Sequence, residues 1–138
     1  MSADPDCIFC KIVAGELPAT VVDEDERTLA FMDINPATRG HALVIPREHS
    51  PDLLSVDRDD LLAVALAARR LAGRAMERLG ADGVNLVNST GAVAWQTVFH
   101  FHVHVIPRYR DDPLRLPWVP APGDPQQIAT AAQELSRA

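Results

Sequence analysis

The sequence predicts an α+β fold: a mainly antiparallel five-stranded sheet with one long helix and a short N-terminal helix. Five short segments are rich in β-branched and aliphatic residues, and turn compositions such as "DEDE" and "NPATRG" interrupt them. Only one segment has the periodicity and length of a long helix. A chain of 138 residues is large enough for one hydrophobic core.

The elements are expected in the following order. "DCIFCKIVAGELPA" predicts a short helix with Asp6 as its N-cap and Gly15 near its end. "TVV", "RTLAFMDI" and "GHALVIPREH" predict three strands, and the dipeptide at residues 50–51, Ser-Pro, is a typical helix start. The long helix is expected from Asp57 to about Leu79. "DGVNLVNS" and "HFHVHVIPRY" predict two further strands.

The whole chain, 1–138, is expected to be a single domain with its core at about 6–110. Residues 111–138 form a proline-rich C-terminal arm, with a short amphipathic helix near residues 125–137. Trp118 lies in this arm, and we expect it to anchor the arm hydrophobically.

The charge and composition exclude several classes of partner. A formal net charge of -6 argues against binding nucleic acid polymers or anionic membranes, which requires a basic surface. No signal-like N-terminus and no long apolar run is present, so we expect a cytoplasmic protein. Neutral donors can still bind a phosphate locally.

Three of the five histidines alternate within "HFHVHVIPRY". In a strand, His100, His102 and His104 share one face, while the intervening residues face the core. The outer two are about 13 Å apart at a rise of about 3.3 Å per residue. The strand is therefore expected to serve two centres instead of one three-histidine metal site.

The pattern H-φ-H-φ-H-φ-φ at residues 100–106 resembles the signature of the histidine triad (HIT) family of nucleotidyl hydrolases and transferases. "CIFCKIVAGELPA", "LAFMDINPATRGHALVIPREH" and "QTVFHFHVHVIPR" follow the family pattern in the family order. The chain most resembles the zinc-bearing bacterial branch, related to histidine triad nucleotide-binding proteins.

The resemblance implies catalysis by a histidine nucleophile. It places the nucleophile at His102, with Nδ1–H held by a backbone carbonyl of the same strand, and it implies a nucleotidyl-histidine intermediate. His104 and His41 match the positions that flank and orient the site. A purely structural role for His41, at the start of a strand, is an equal alternative.

The resemblance also implies a structural Zn²⁺ bound by Cys7, Cys10, His49 and His100. A C-x-x-C pair is a common half of such a site, and four protein ligands would leave no position for an activated water. Taken without the resemblance, the two cysteines could equally be reduced and unligated.

The nucleotide pocket is inferred in the same way. Asp33 matches the ribose-binding carboxylate, although an aspartate before Asn-Pro is also common in turns. Positions matching the apolar base site, each of which could be ordinary core, are Ile8, Phe9, Ile12, Phe31 and Ile34. Positions matching the phosphate site, each of which could serve only local backbone bonding, are Asn88, Gln96 and Thr97.

The chain departs from the family at Trp95, where related members usually have glycine. Tryptophan removes conformational freedom and adds a large side chain, which leaves the leaving-group preference open. Family members are commonly homodimers, so a homodimer is expected, with Trp118 as a residue that can reach the partner's pocket.

The leading hypothesis is a hydrolase of adenosine phosphoramidates or adenylylated amines, with dinucleoside polyphosphates as the second substrate class. One alternative is a metal-dependent hydrolase that uses the histidine strand as a catalytic metal site. Another is a non-catalytic nucleotide-binding regulatory module, because a fold does not prove turnover.

Overall fold

The computed structural model describes residues 3–138. The strands are β1 (Val21–Glu24), β2 (Thr28–Met32), β3 (Ala42–Pro46), β4 (Gly83–Val87) and β5 (Val103–Arg108). The helices are α1 (Ile8–Val13), α2 (Arg58–Arg78) and α3 (Pro125–Ser136). The predicted fold class, with its five-stranded sheet, short first helix and one long helix, is confirmed.

The sheet has the strand order β1-β2-β3-β5-β4, and every neighbouring pair is antiparallel. α2 and β4 separate β3 from β5 in the chain. β5 nevertheless pairs with β3 on one side and with β4 on the other. Leu43 of β3 lies opposite His104 of β5. This pairing brings the "GHALVIP" and "HFHVHVIP" segments side by side.

Both faces of the sheet are covered, each by a different helix. On one face α2 packs through Val64, Ala67 and Leu71 on a core that includes Phe101 and Val105. On the opposite face α1 packs through Phe9 and both cysteines on side chains of β2 and β3. The alternation along residues 100–105 therefore directs Phe101 and Val105 to the α2 face.

Two predicted helix starts are wrong. The N-cap of α1 is Cys7 instead of Asp6, and its Sγ accepts the Cys10 N–H at 3.4 Å. Ser-Pro at residues 50–51 begins no helix, because Asp52 closes a turn by accepting the N–H groups of Leu54 and Ser55. The long helix begins only after Asp57, whose carboxylate accepts two backbone N–H groups of the first turn.

The regular part of the last strand is shorter than predicted. β5 begins at Val103, so only His104 of the three histidines lies in the ladder. Upstream, the Phe101 N–H leaves the sheet pattern and donates to the Ser50 carbonyl at 2.7 Å. His100 and His102 therefore lie in the extended segment that leads into the sheet.

The C-terminal arm stands apart from the sheet. Residues 115–138 are exposed throughout, including every residue of α3. Trp118 is 62% exposed, so it does not anchor the arm as expected. None of the helices within residues 3–138 combines the length and apolar character needed to cross a bilayer.

Candidate active site and metal centre

A cavity of 520 Å³ opens on the α1 face of the sheet. The end of β2, the segment before β5, α1 and the loop after it form its walls. The residues that line it are Ile8, Phe9, Ile12, Leu17, Pro18, Ala19, Phe31, Met32, Asp33, Ile34, Asn35, Leu43, Thr97, Val98, His102 and His104. Most of the lining is apolar, and within it the rings of His102 and His104 lie together at a centroid distance of 5.1 Å.

His102 is buried at the wall of this cavity with one nitrogen engaged. Its Nδ1 lies 2.7 Å from the His100 carbonyl oxygen, and a carbonyl only accepts, so Nδ1 carries the proton. The ring of Phe9 packs against it edge-on at a centroid distance of 5.2 Å. In the neutral ring Nε2 therefore keeps its lone pair, which is the requirement for a nucleophile.

His104 and His41 form a relay of the opposite tautomer. The Ala37 N–H donates to His41 Nδ1 at 2.9 Å, so the proton of neutral His41 is on Nε2. His41 Nε2 lies 2.9 Å from His104 Nδ1, which must accept. The remaining proton of His104 is then on its Nε2.

Burial keeps these histidines neutral. Desolvation lowers the pKa of His102 and of His41. Desolvation, followed by the neighbouring His102 and His41, lowers the pKa of His104 to about 4. The carboxylate of Asp33 opposes this only weakly, with Oδ2 3.5 Å from His41 Nε2 and 4.0 Å from His104 Nδ1.

Beside this cavity lies a cluster of four buried donors, Cys7, Cys10, His49 and His100. The two Nδ1 atoms are 3.3 Å apart, Cys10 Sγ is 3.4 Å from His49 Nδ1, and both sulfurs are 3.5 Å from His100 Nδ1. A tetrahedral zinc with bonds of about 2.05 Å to N and about 2.3 Å to S would place two nitrogens about 3.3 Å apart and N–S pairs about 3.5 Å apart. The donor set fits such an ion.

The outer contacts of the cluster orient the ligand atoms inward. His100 Nε2 donates to the Pro46 carbonyl at 2.8 Å, which leaves the lone pair on Nδ1. His49 Nε2 lies 3.8 Å from an Asp4 carboxylate oxygen. Burial lowers the pKa of His100 to about 4, so its imidazole is in the neutral form that binds metals.

The three histidines of the triad thus do not converge on one ion. Among the described residues two donor groups can be drawn, and each contains one triad histidine: His100 in the first, and His104 with Asp33 and His41 in the second. In the second group a metal would need the lone pair of His41 Nε2, but the Ala37 N–H at Nδ1 favours the tautomer that has a proton there. This arrangement favours a hydrogen-bond relay over a catalytic metal.

Two residues expected at the phosphate lie outside the cavity lining. The Gln96 side chain accepts from the Gly91 N–H at 2.8 Å and donates to the carbonyls of Pro51 and Val98. Asn88 Nδ2 donates to the His102 carbonyl at 2.9 Å. Both side chains hold backbone next to the site, whereas Thr97 lines the cavity directly.

Trp95 takes up a backbone conformation that favours glycine. Its φ of 76° makes it the one non-glycine residue with positive φ in residues 3–138. The side chain is 69% exposed and does not line the cavity. The family's glycine at this position is thereby explained, and the leaving-group preference stays open.

Sequence reasoning missed part of the cavity wall. Leu17, Pro18 and Ala19 line it after α1, and Asn35 lines it after Asp33. All four lie within the segments that follow the family pattern, so that match was the available signal. The role of Ala37 in setting the His41 tautomer could not be predicted from its side chain, because its backbone N–H makes the hydrogen bond.

Comparison with known proteins agrees with this geometry. The family model "HIT domain" matches residues 14–111. An uncharacterized HIT-like protein of Methanocaldococcus jannaschii is 47% identical over 106 residues, which are 77% of this chain and 81% of that protein. Adenylylsulfatase HINT3 of Arabidopsis thaliana is 38% identical over 109 residues, which are 79% of this chain and 55% of that protein.

Solved structures share the fold. SMU.412c of Streptococcus mutans has a TM-score of 0.90 at 38% identity, over 97% of this chain and 85% of that chain. A zinc-bound histidine triad family protein of Mycobacterium smegmatis has a TM-score of 0.77 at 39% identity, over 96% and 98%. A histidine triad nucleotide-binding protein of Candida albicans has a TM-score of 0.82 at 29% identity, over 94% of each chain. The chain therefore belongs to the HIT domain family.

Proposed function

We propose that the protein hydrolyses nucleoside 5′-phosphoryl derivatives, or transfers their nucleotidyl group, through a covalent intermediate on His102. The observation that supports this most strongly is the 2.7 Å bond from His102 Nδ1–H to the His100 carbonyl. It fixes the tautomer in which the Nε2 lone pair is available at the cavity.

The reaction has two steps. In the first, Nε2 attacks the α-phosphorus, a P–N bond forms, and the leaving group departs with the electron pair of its broken bond to phosphorus and takes up a proton. In the second, water attacks the same phosphorus and a P–O bond forms. The P–N bond then breaks and returns its electrons to Nε2, and a proton from water replaces the one spent.

His104 is the proposed proton donor to the leaving group. In the relay its Nε2 holds a proton, which passes to the leaving group, and a proton from the attacking water returns to Nε2 in the second step. The His41 Nε2–H, which donates to His104 Nδ1 at 2.9 Å, would stabilise the negative charge left on the His104 ring in between. Asp33, 3.5 Å from His41 Nε2, would help to orient the His41 ring. His41 is therefore a positioning residue and His104 a catalytic one.

The cavity lining supports a nucleotide in one orientation. The apolar part of the lining would enclose the base, with walls formed by Ile8, Phe9, Ile12, Phe31 and Ile34. Asp33 would accept hydrogen bonds from the ribose hydroxyls, and the Thr97 hydroxyl would donate to the phosphate. Asn88 and Gln96 would act indirectly, by holding the backbone of the site.

We assign the four-donor cluster to a structural Zn²⁺. Its donor distances match those of a tetrahedral zinc, and its two histidines point their Nδ1 atoms inward. Thiol ligands stay available in a reducing compartment, which supports the cytoplasm as the location. Purified protein should contain about one zinc per chain, and Cys7→Ser should lose it; metal-free wild-type protein as isolated would contradict the assignment.

Adenosine phosphoramidates and adenylylated amines are the proposed first substrate class, with dinucleoside polyphosphates second. The name of the Arabidopsis relative refers to an adenylyl compound, and that of the Candida structure refers to nucleotide binding. Both describe those proteins, and they support a nucleoside phosphoryl ligand for this cavity.

Steady-state hydrolysis of adenosine 5′-phosphoramidate tests the proposal. His102→Ala should lower kcat by at least about 10⁴-fold, because the nucleophile is lost. AMP affinity, measured by calorimetry, should change little and so report an intact pocket. Unchanged hydrolysis in His102→Ala with intact AMP binding would remove the assignment.

We further infer a homodimer, in which the arm and α3 pack on a second copy of the chain. The arm exposes Leu116, Trp118 and Val119, and α3 exposes Ile128 and Leu135. Ile128 and Leu135 are seven residues apart and so share one helix face. An apolar surface of this kind is stabilised when a partner covers it.

A further inference from the structure

The metal cluster and His102 meet at a single peptide group. The peptide that joins His100 to Phe101 carries the carbonyl that accepts the His102 Nδ1–H, at 2.7 Å. Its N–H end, on Phe101, donates to the Ser50 carbonyl, also at 2.7 Å. Both ends of this one rigid plane are therefore used, and the orientation of the plane sets the orientation of the His102 ring.

Both hydrogen bonds of this peptide involve a residue that belongs to the four-donor cluster or directly follows one that does. His100 itself contributes Nδ1 to the cluster, and Ser50 directly follows His49, the other histidine of the cluster. The two Nδ1 atoms are 3.3 Å apart, and His100 Nε2 donates to Pro46, just upstream of His49. The cluster thus joins the 46–50 segment to the 98–102 segment, and the His100–Phe101 peptide lies in the second and is hydrogen-bonded to the first.

Without a cation the same geometry is held less firmly. Because His100 Nε2 donates to the Pro46 carbonyl, its Nδ1 lone pair faces His49 Nδ1 at 3.3 Å in a buried site, where only a single proton could take the place of the cation. The thiols at 3.4 and 3.5 Å are only weak donors. Release of the ion would therefore let the 46–50 and 98–102 segments separate, and the peptide between them would lose its fixed plane.

We propose that the metal centre positions the nucleophile: through the His100–Phe101 peptide it holds His102 in the Nδ1–H tautomer with Nε2 directed at the cavity. His100 is a positioning residue in this scheme. The inference rests on the proposed function for its kinetic consequence, whereas the effect on the His102 ring is independent of turnover.

The test uses the full chain labelled with ¹⁵N-histidine, loaded with Zn²⁺ and then stripped with a chelator. Ring ¹⁵N spectra, with His102→Ala for assignment, report the tautomer, and circular dichroism reports the fold. Rapid-quench measurements with saturating adenosine 5′-phosphoramidate give the rate of adduct formation. AMP affinity reports the pocket.

In the loaded protein His102 is expected as a single Nδ1–H tautomer. After stripping, both tautomers should appear, adduct formation should slow by at least about tenfold, and AMP affinity should stay within about threefold, because a small misplacement of a reacting group is costly. Reloading with Zn²⁺ or Cd²⁺ should restore the single tautomer and the rate of adduct formation. A folded, stripped protein with an unchanged ring spectrum and rate overturns the proposal.

If the stripped protein unfolds, two metal-loaded ligand variants replace it. Cys7→Asp keeps four ligands and a helix cap on α1. His100→Cys also keeps four ligands, but its shorter side chain displaces the peptide at residue 100. The proposal requires the rate of adduct formation in His100→Cys to be at least about tenfold lower than the rate in Cys7→Asp. Equal rates in the two variants overturn it. Absence of any adduct in loaded wild type instead refutes the proposed function, and the ring spectrum then decides this inference alone.

Discussion

His102 and His104 are two residues apart, yet their Nε2 atoms are in opposite protonation states. His102 donates from Nδ1 to a carbonyl and keeps a lone pair on Nε2, whereas His104 accepts at Nδ1 and keeps a proton on Nε2. Backbone groups set both choices: the His100 carbonyl for one and the Ala37 N–H, acting through His41, for the other. The proposed nucleophile and the proposed proton donor thus arise from the same side-chain type.

The relay predicts an unusual pH profile. With a pKa of about 4, His104 is neutral above about pH 5 and becomes protonated at Nδ1 only as the pH falls through about 4. Desolvation also lowers the pKa of His102, whose Nε2 lone pair is lost on protonation. The rate of adduct formation at saturating substrate should therefore stay level as the pH falls through 6.5 and decline only at lower pH, where His102 is protonated. An inflection near 6.5, the ordinary histidine value, would contradict the assignment.

The same lowered pKa predicts a loss of stability in mild acid. Unfolded His104 takes up a proton near pH 6.5, whereas folded His104 does so only near pH 4. Protons therefore bind the unfolded chain preferentially in this range, and the free energy of unfolding should decrease as the pH falls from about 6.5 to about 4. Urea denaturation of wild type and His104→Gln checks this, since the variant should lose part of the pH dependence.

At the scale of the elements, the loop between β2 and β3 has to deliver His41 next to His104. Gly40 precedes His41 with a φ of +91°, and a Cβ there would lie 2.4 Å from Leu79 Cδ1 and 3.2 Å from Pro107 Cγ. Only glycine allows this close approach between the loop and the end of α2. The position of His41, the proposed positioning residue, thus depends on how a helix end packs.

Gly40→Ala and Gly80→Ala form a matched pair. Gly80 also has a positive φ, +68°, but nothing lies within 4 Å of the position that an alanine methyl would occupy, so its cost should be the backbone term of about 1–2 kcal/mol. Gly40→Ala should lower the free energy of unfolding by about 1–3 kcal/mol more than Gly80→Ala does, because of overpacking. Of the two variants, only Gly40→Ala should slow adduct formation. Equal denaturation midpoints and rates for the two variants would contradict the packing argument.

The elements also show what the sequence can and cannot predict. Alternation of histidines with Phe101 and Val105 correctly assigned the two faces of the segment, because burial follows the strand period. It could not show that β5 begins only at Val103, since that depends on the Ser50 carbonyl, 51 positions upstream, accepting the Phe101 N–H. Hydrogen bonds between backbone groups of distant segments cannot be predicted from the pattern of side chains.

At the scale of the whole molecule, the antiparallel sheet carries two different centres on one face. β2 and β3 pack beneath α1, which contributes both Cys7 and Cys10 to the cluster and Ile8 and Phe9 to the cavity. The proposed metal site and the proposed nucleotide site therefore share an element. The resemblance implied only a structural zinc, whereas the fold joins its proposed ligand His100 to His102 through a backbone hydrogen bond.

The exposed arm predicts self-association. Ile128→Glu with Leu135→Glu places charges on the apolar stripe of α3 and should shift the chain from dimer toward monomer in sedimentation velocity. Gln133→Glu, on the opposite side of the helix, is the matched control and should leave the sedimentation coefficient unchanged. A monomeric wild-type chain, or equal behaviour of both variants, would contradict a dimer built on this face.

Direct detection of the intermediate tests the central claim. Adenosine 5′-phosphoramidate labelled at the α-phosphate is mixed with enzyme, quenched within milliseconds in base, and digested for peptide mass spectrometry. The expected result is a base-stable, acid-labile nucleotidyl adduct on His102 that forms and decays at rates compatible with turnover. Turnover without any adduct, or an adduct on another residue, would contradict the account.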